Sequence, residues 1–118
     1  VTNNKNLPIN HFFMDGVYVR EMTMAKGMVV IGAIHKHLHM CFLLEGHVGV
    51  ADEKGNMDYV APCYIVSTRG IKRVLYAHEK SVWYNIHKNP SSTEDVGELE
   101  ENIVALTYEE YEEYIKNK

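Results

Sequence analysis

The segment His35-Lys36-His37-Leu38-His39 places three imidazoles at alternate positions, just before the apolar run Met40-Cys41-Phe42-Leu43-Leu44 and the turn pair Glu45-Gly46. In an extended strand alternate side chains share a face, so the three rings would project together toward one bound ion or one anionic ligand. Neutral imidazole binds zinc, iron or nickel at about 2.0–2.2 Å, with water completing the shell. Arg73 offers the complementary chemistry, a permanent charge with planar donors suited to phosphate or carboxylate. Trp83, Tyr76 and Tyr84 are aromatic candidates for a stacking face beside such a ligand.

Short runs of β-branched and aromatic residues must position these groups. Val17 to Met22 follows Asp15-Gly16, and Met28 to Gly32 follows Lys26-Gly27; both read as strands. Leu43 to Ala51 and Met57 to Ala61 flank the polar connection Asp52-Glu53-Lys54-Gly55-Asn56 and read as a hairpin. Tyr64 to Val66, Arg73 to Ala77 and Val82 to His87 complete the set, the last two joined across His78 to Ser81. Roughly eight short strands need a closed barrel or a double sheet to protect their edges.

After Asn89-Pro90 the chain turns acidic and its signals become helical. Ser92 or Thr93 is the expected cap of a helix running to about Asn102. Thr107 with Glu110 forms a capping box, followed by Tyr108, Tyr111, Tyr114 and Ile115 at helical spacing. The chain is therefore divided into a β-barrel at 1–90 and an acidic helical extension at 91–118, packed on the barrel or on a partner subunit. The carboxylates of this extension read as a solvated helix face.

The 118 residues make one ordinary domain. Twelve basic against sixteen acidic side chains give a net charge of −4, which argues against general nucleic-acid binding. No run approaches the ~20 apolar residues that span a bilayer, and no secretory leader is evident. The expectation is a cytoplasmic protein without a membrane partner. Cys41 and Cys63 lie in apolar strand contexts and read as reduced thiols. His11, ahead of Phe12-Phe13, reads as a packing or capping residue.

Gly32 to His39, followed after six residues by Gly46, resembles the first cupin motif, Gly-x5-His-x-His-x3-4-Glu-x6-Gly, and Thr68 to Arg73 occupies the place of the second, Pro-x-Gly-x-x-His. Leu7 to Phe13, Tyr18 to Met22, Ile34 to Gly46 and Gly70 to His87 resemble an uncharacterised group of small cupin-like proteins of phages and bacteria. The resemblance implies an all-β, cupin-type jelly-roll barrel with a short helical C-terminal tail. Counted back from Gly46, His39 occupies the glutamate position of the motif and His35 its second histidine, whereas Ala33 and Arg73 replace the other two ligands. A straight strand would put His35 and His39 roughly 13 Å apart. A turn at Lys36-His37-Leu38 instead brings both rings to face the barrel, with His37 nearer the mouth. His78 or His87 could then approach from the neighbouring hairpin, the one joined across His78 to Ser81.

These residues fit a binding protein whose pocket, lined by Arg73, His35, His39, Trp83 and Tyr76, takes a small anionic molecule. In a phage-encoded protein, acting in the host cytoplasm, one version is the sequestering of a nucleotide-derived signal. The alternative is a metal-dependent enzyme of dioxygenase or isomerase type, with one divalent zinc, iron or nickel held by His35, His37, His39 and His78. A third alternative is a structural or assembly protein. A homo-oligomer is expected from the habits of cupin barrels.

Overall fold

The computed structural model describes residues 7–117, and eleven strands and two helices lie within that span. All strand pairs are antiparallel. One sheet has the order β1(Ile9–Met14), β2(Val17–Met24), β10(Ser81–Lys88), β5(His39–Glu45), β8(Cys63–Ser67). The second has the order β3(Val29–Ile31), β9(Val74–Ala77), β6(His47–Asp52), β7(Gly55–Val60). The two sheets close over a shared apolar core as a jelly-roll barrel. Met22, Met24, Cys41, Leu43, Ile65 and Trp83 from the first meet Val30, Val48, Val50, Leu75 and Ala77 from the second.

Alternation explains which face each strand buries. In β10 Ser81, Trp83, Asn85 and His87 are buried while the intervening residues are less so. The stretch Leu43 to Ala51, expected as one strand, does not stay in one sheet. It turns at Gly46, where φ is +100°, and β5 passes into β6 of the opposite sheet. A Cβ at Gly46 would lie 2.1 Å from Ser81 Oγ and 2.4 Å from the Lys80 carbonyl, so only glycine fits this corner. The segment His78 to Lys80 is likewise a crossover: β9 and β10 belong to different sheets and do not form the hairpin expected from their spacing. The hairpin of β6 and β7 does form, with Asp52 Oδ1 accepting from Lys54 N at 2.8 Å. β1, which sequence patterning left unassigned, pairs along its whole length with β2.

The outward face of the five-stranded sheet departs from polar alternation. Phe12, Met14, Phe42, Leu44, Tyr64 and Val66 are all exposed there. Glu21 on the same face accepts hydrogen bonds from Asn10 and Tyr84.

The C-terminal segment packs against the barrel. α1(Val96–Ile103) is capped by Asp95, whose side chain accepts from Glu98 N. The expected caps do other work: Thr93 Oγ1 accepts from Asp95 N, and Ser92 adopts a left-handed φ of 53° that cannot open a helix. Leu99 and Ile103 bury against Tyr18 and Phe13. β11(Val104–Ala105) then pairs with β4(Ile34–His35), setting Val104 opposite His35. α2(Tyr108–Lys116) is capped by Thr107 as its sequence predicts, and Glu110 Oε2 in turn accepts a hydrogen bond from Leu106 N. Tyr111 lies against Gly70, where a Cβ would come within 2.8 Å of the ring.

Leu99 is only 1% exposed. Leu99→Ala is expected to cost roughly 2–5 kcal/mol in urea denaturation, the range for a buried leucine in a packed core. A loss below about 1 kcal/mol would mean that the C-terminal segment is a loose appendage.

Candidate functional site

Three histidine side chains, His35 half-buried and His39 and His87 buried, converge from separate parts of the chain. His35 ends β4, His39 opens β5, and His87 lies near the end of β10. The chain bends at Lys36 and His37, so His35 and His39 face each other with ring centroids 4.3 Å apart. His87 lies 4.4 Å from His39 and 5.5 Å from His35. One ligand atom from each of the three lies within 4.8 Å of the others.

Their surroundings keep all three rings neutral. Burial, reinforced by the neighbouring His39, pushes His35 down to about 3. Burial, then His39 and His35, pushes His87 down to about 2. Burial also pulls His39 below the usual histidine range, outweighing its hydrogen bonding. Arg20 lowers His35 and His87 further, and Arg73 lowers His35 and His39. Neutral rings are the form that coordinates metal.

Asn85 sets the tautomer of His39. Trp83 Nε1 can only donate, and it meets Asn85 Oδ1 at 3.3 Å, which identifies that atom as the carbonyl oxygen. His39 Nε2 approaches the same oxygen at 3.2 Å and must therefore carry the proton. The lone pair then resides on Nδ1, which is buried and has no hydrogen-bond partner. A metal-binding histidine ordinarily donates its other ring N–H to a carbonyl or carboxylate in this way. The orphaned Nδ1 and the two neutral neighbours fit a divalent ion.

The site opens into a cavity of about 180 Å³. His35, His39, Arg20, Arg73, Trp83 and Asn85 line it together with Ser67 and apolar side chains, and no carboxylate among the described residues does. Arg73 is shared, its Nε standing 3.7 Å from Asp52 Oδ2 beyond hydrogen-bonding range. Cys41 also lines the cavity, but burial pushes its thiol up to about 12, which removes it as a nucleophile at neutral pH. It and Cys63 are free thiols.

The remaining sequence candidates lie elsewhere. His37 points toward the C-terminal helix, its ring edge-on to Tyr114 at 5.9 Å, and is not grouped with the three histidines. His78 lies on the outer face of the four-stranded sheet, beside Asp58 and His47. Tyr76 is exposed on that same face and does not line the cavity, because Leu75 and Ala77 take the inward positions of β9. Tyr84 faces outward to Glu21. Conversely, Arg20, Asn85 and His87 belong to the site. Strand alternation is the signal for the last two, since Asn85 and His87 share the inward face of Trp83. His11 bonds the Tyr18 hydroxyl through Nδ1 at 2.6 Å and stacks on its ring, a packing role.

No family model matches this chain, and no curated protein does. Solved structures do resemble it. A cupin superfamily protein from Desulfitobacterium hafniense shares 12% identity at a TM-score of 0.59, over 69% of this chain and 77% of its own. A cupin 2 conserved barrel domain protein from Salinispora arenicola shares 11% identity at 0.62, over 84% and 88%. An ectoine synthase from P. lautus shares 11% identity at 0.63, over 73% and 66%. At such identities the likeness concerns architecture alone, and it makes the fold of this chain the cupin jelly roll.

Proposed function

We propose that the barrel binds a small anion, held jointly by a divalent metal on His35, His39 and His87 and by the guanidinium groups of Arg20 and Arg73. The observation that carries this is the charge pattern: two neutral imidazoles, His35 and His39, and two cations line one cavity with no carboxylate among the described residues, and His87 groups with the two imidazoles. An ion alone would add positive charge beside two guanidiniums, whereas an anion bridging ion and arginine relieves the repulsion. When bound, the ion supplies Lewis acidity and open coordination positions. The protein residues orient: Asn85 holds His39, Trp83 holds Asn85, and the pairing of β4 with β11 holds His35. A cavity of about 180 Å³ is below the ~300 Å³ at which drug-sized pockets begin, which favours a compact carboxylate or phosphate over a nucleotide-derived signal in a phage setting.

The metal-dependent enzyme remains the second reading, favoured by the same three histidines. A dioxygenase- or isomerase-type reaction would use the coordination positions that a histidine triad leaves open. Neither Cys41 nor a cavity carboxylate offers nucleophilic or general-base help.

Assembly adds to either reading. We assign the apolar outward face of the five-stranded sheet to a second copy of this chain. Phe12, Met14, Phe42, Leu44, Tyr64 and Val66 are all exposed on this one face, the kind of apolar surface that marks an interaction site. Its carboxylate, Glu21, is already hydrogen-bonded, so two copies can meet without bringing unpaired like charges together.

Metal and anion should bind cooperatively. In thermal-shift titrations of metal-depleted protein, zinc or nickel with a small carboxylate or phosphate is expected to raise Tm more than the sum of their separate effects. At a hundredfold excess over Kd the stabilisation is about 2.7 kcal/mol. Arg73→Ala should abolish the anion contribution and His87→Asn the metal contribution. An absence of any anion effect, with metal present or not, would refute the proposal.

Acid should destabilise the metal-free protein. The unfolded chain takes protons on its histidines from about pH 6.5 downward, whereas folded His35 and His87 stay neutral until about 3 and about 2. Stability is therefore fullest above pH 6.5 and falls toward pH 4, by at most about 1.4 kcal/mol per pH unit for each ring. Urea denaturation across this range should show the slope, and His87→Asn should flatten it. Equal stability at pH 7 and pH 5 would contradict the buried neutral rings.

For assembly, light scattering should give a dimer mass that Phe42→Glu combined with Leu44→Glu reduces to that of one chain. A monomeric parent protein would dispose of the interface.

A further inference from the structure

A second set of metal-ligating side chains meets outside the barrel, on the outer face of the four-stranded sheet. His47 opens β6, Asp58 lies in β7 and His78 directly follows β9. The register gathers them: Gly49 stands opposite Asp58 on one side and Tyr76 on the other, and His78 N donates to the His47 carbonyl at 2.9 Å. His78 Nε2 then lies 3.1 Å from Asp58 Oδ1, and His47 Nε2 lies 3.8 Å from the same oxygen. The imidazole centroids are 4.3 Å apart, and the three donor atoms fall within 4.8 Å of one another.

Gly49 leaves the space in which they meet. A Cβ there would stand 3.1 Å from both Asp58 Oδ1 and His78 Nε2.

A simple ion pair explains His78 beside Asp58, but it does not explain His47. Its Nε2 is shut away from solvent with no hydrogen-bond partner, yet it is directed at a carboxylate oxygen beyond hydrogen-bonding reach. Protonating both histidines would set two cations side by side over a single carboxylate. In a tetrahedral shell with ligand bonds of 2.0–2.2 Å, neighbouring donor atoms are about 3.4 Å apart. The observed 3.1 Å and 3.8 Å bracket that edge.

We propose that His47, Asp58 and His78 form a second metal site, selective for zinc or a divalent ion of similar ligand preference, with the fourth position open to solvent. Two imidazoles and one carboxylate match zinc, whereas calcium and magnesium favour oxygen ligands throughout. Such an ion would join β7, the edge strand, to the end of β9 across the intervening β6. The site shares no residue with the barrel triad and does not depend on it.

Equilibrium dialysis of the metal-depleted full chain against zinc tests this, together with the visible absorption of bound cobalt(II) as a report of tetrahedral coordination. His78→Ala and Asp58→Asn alter exposed side chains, so circular dichroism in chelator should match the parent. Each should lose one bound zinc per chain, or weaken it by roughly tenfold or more, and lose the corresponding cobalt absorption. His87→Asn, which touches only the barrel triad, should keep the zinc and the cobalt absorption that these two variants lose. Unchanged zinc stoichiometry and affinity in His78→Ala and Asp58→Asn would overturn the surface site. A barrel without metal shows separately, as an unchanged stoichiometry in His87→Asn.

Discussion

The arrangement of this protein rests on the register of β10. That strand lies in the middle of its sheet, between β2 and β5, and its inward positions are Ser81, Trp83, Asn85 and His87. Ser81 receives the Gly46 corner and donates to the Glu79 carbonyl. Trp83 fills the core, Asn85 collects the indole and imidazole donors, and His87 completes the triad. A slip of one residue would turn the whole set outward. Pairing on both edges holds the register, and each inward polar group has a partner or a ring neighbour that depends on it.

The second constraint is the return of the C-terminal segment. β4 is only two residues long and lies outside both large sheets; its backbone partner is β11. Lys36 reinforces the join, its backbone N–H meeting the Ile103 carbonyl and its Nζ the Glu101 carbonyl. The same Nζ sits 5.0 Å over the Tyr114 ring. The extension thus fixes the backbone that carries His35.

Much of this was legible in the residues. Period-two patterning gave most of the strands, and the motif count from Gly46 brought His35 and His39 together once a bend at Lys36 and His37 was allowed. Thr107 and Glu110 marked their helix unaided. What escaped depends on distance along the chain. Spacing cannot say that the histidine partner of residues 35 and 39 comes from residue 87, or that a two-residue strand near 104 will pair with one near 34. Tyr76 misled because an aromatic beside Arg73 suggests a pocket wall, while the smaller Leu75 and Ala77 take the inward places. His37 fell to the same difficulty: the bend that unites its neighbours turns it toward Tyr114. The outer group of His47, Asp58 and His78 has no local spacing at all and exists only through strand order.

The pairing of β4 with β11 has a consequence for how the molecule comes into being. Synthesis runs from the N-terminus, and the residues that line the cavity are gathered from both early and late parts of the chain. His35 and His39 emerge first, but His87 arrives some fifty residues later and the strand that secures His35 only at residues 104–105. Until β10 is made, β2 and β5 lack the central strand between them. On the ribosome the nascent protein therefore carries loose imidazoles and open sheet edges until these later strands emerge, and the pocket is complete only once residue 105 has been added.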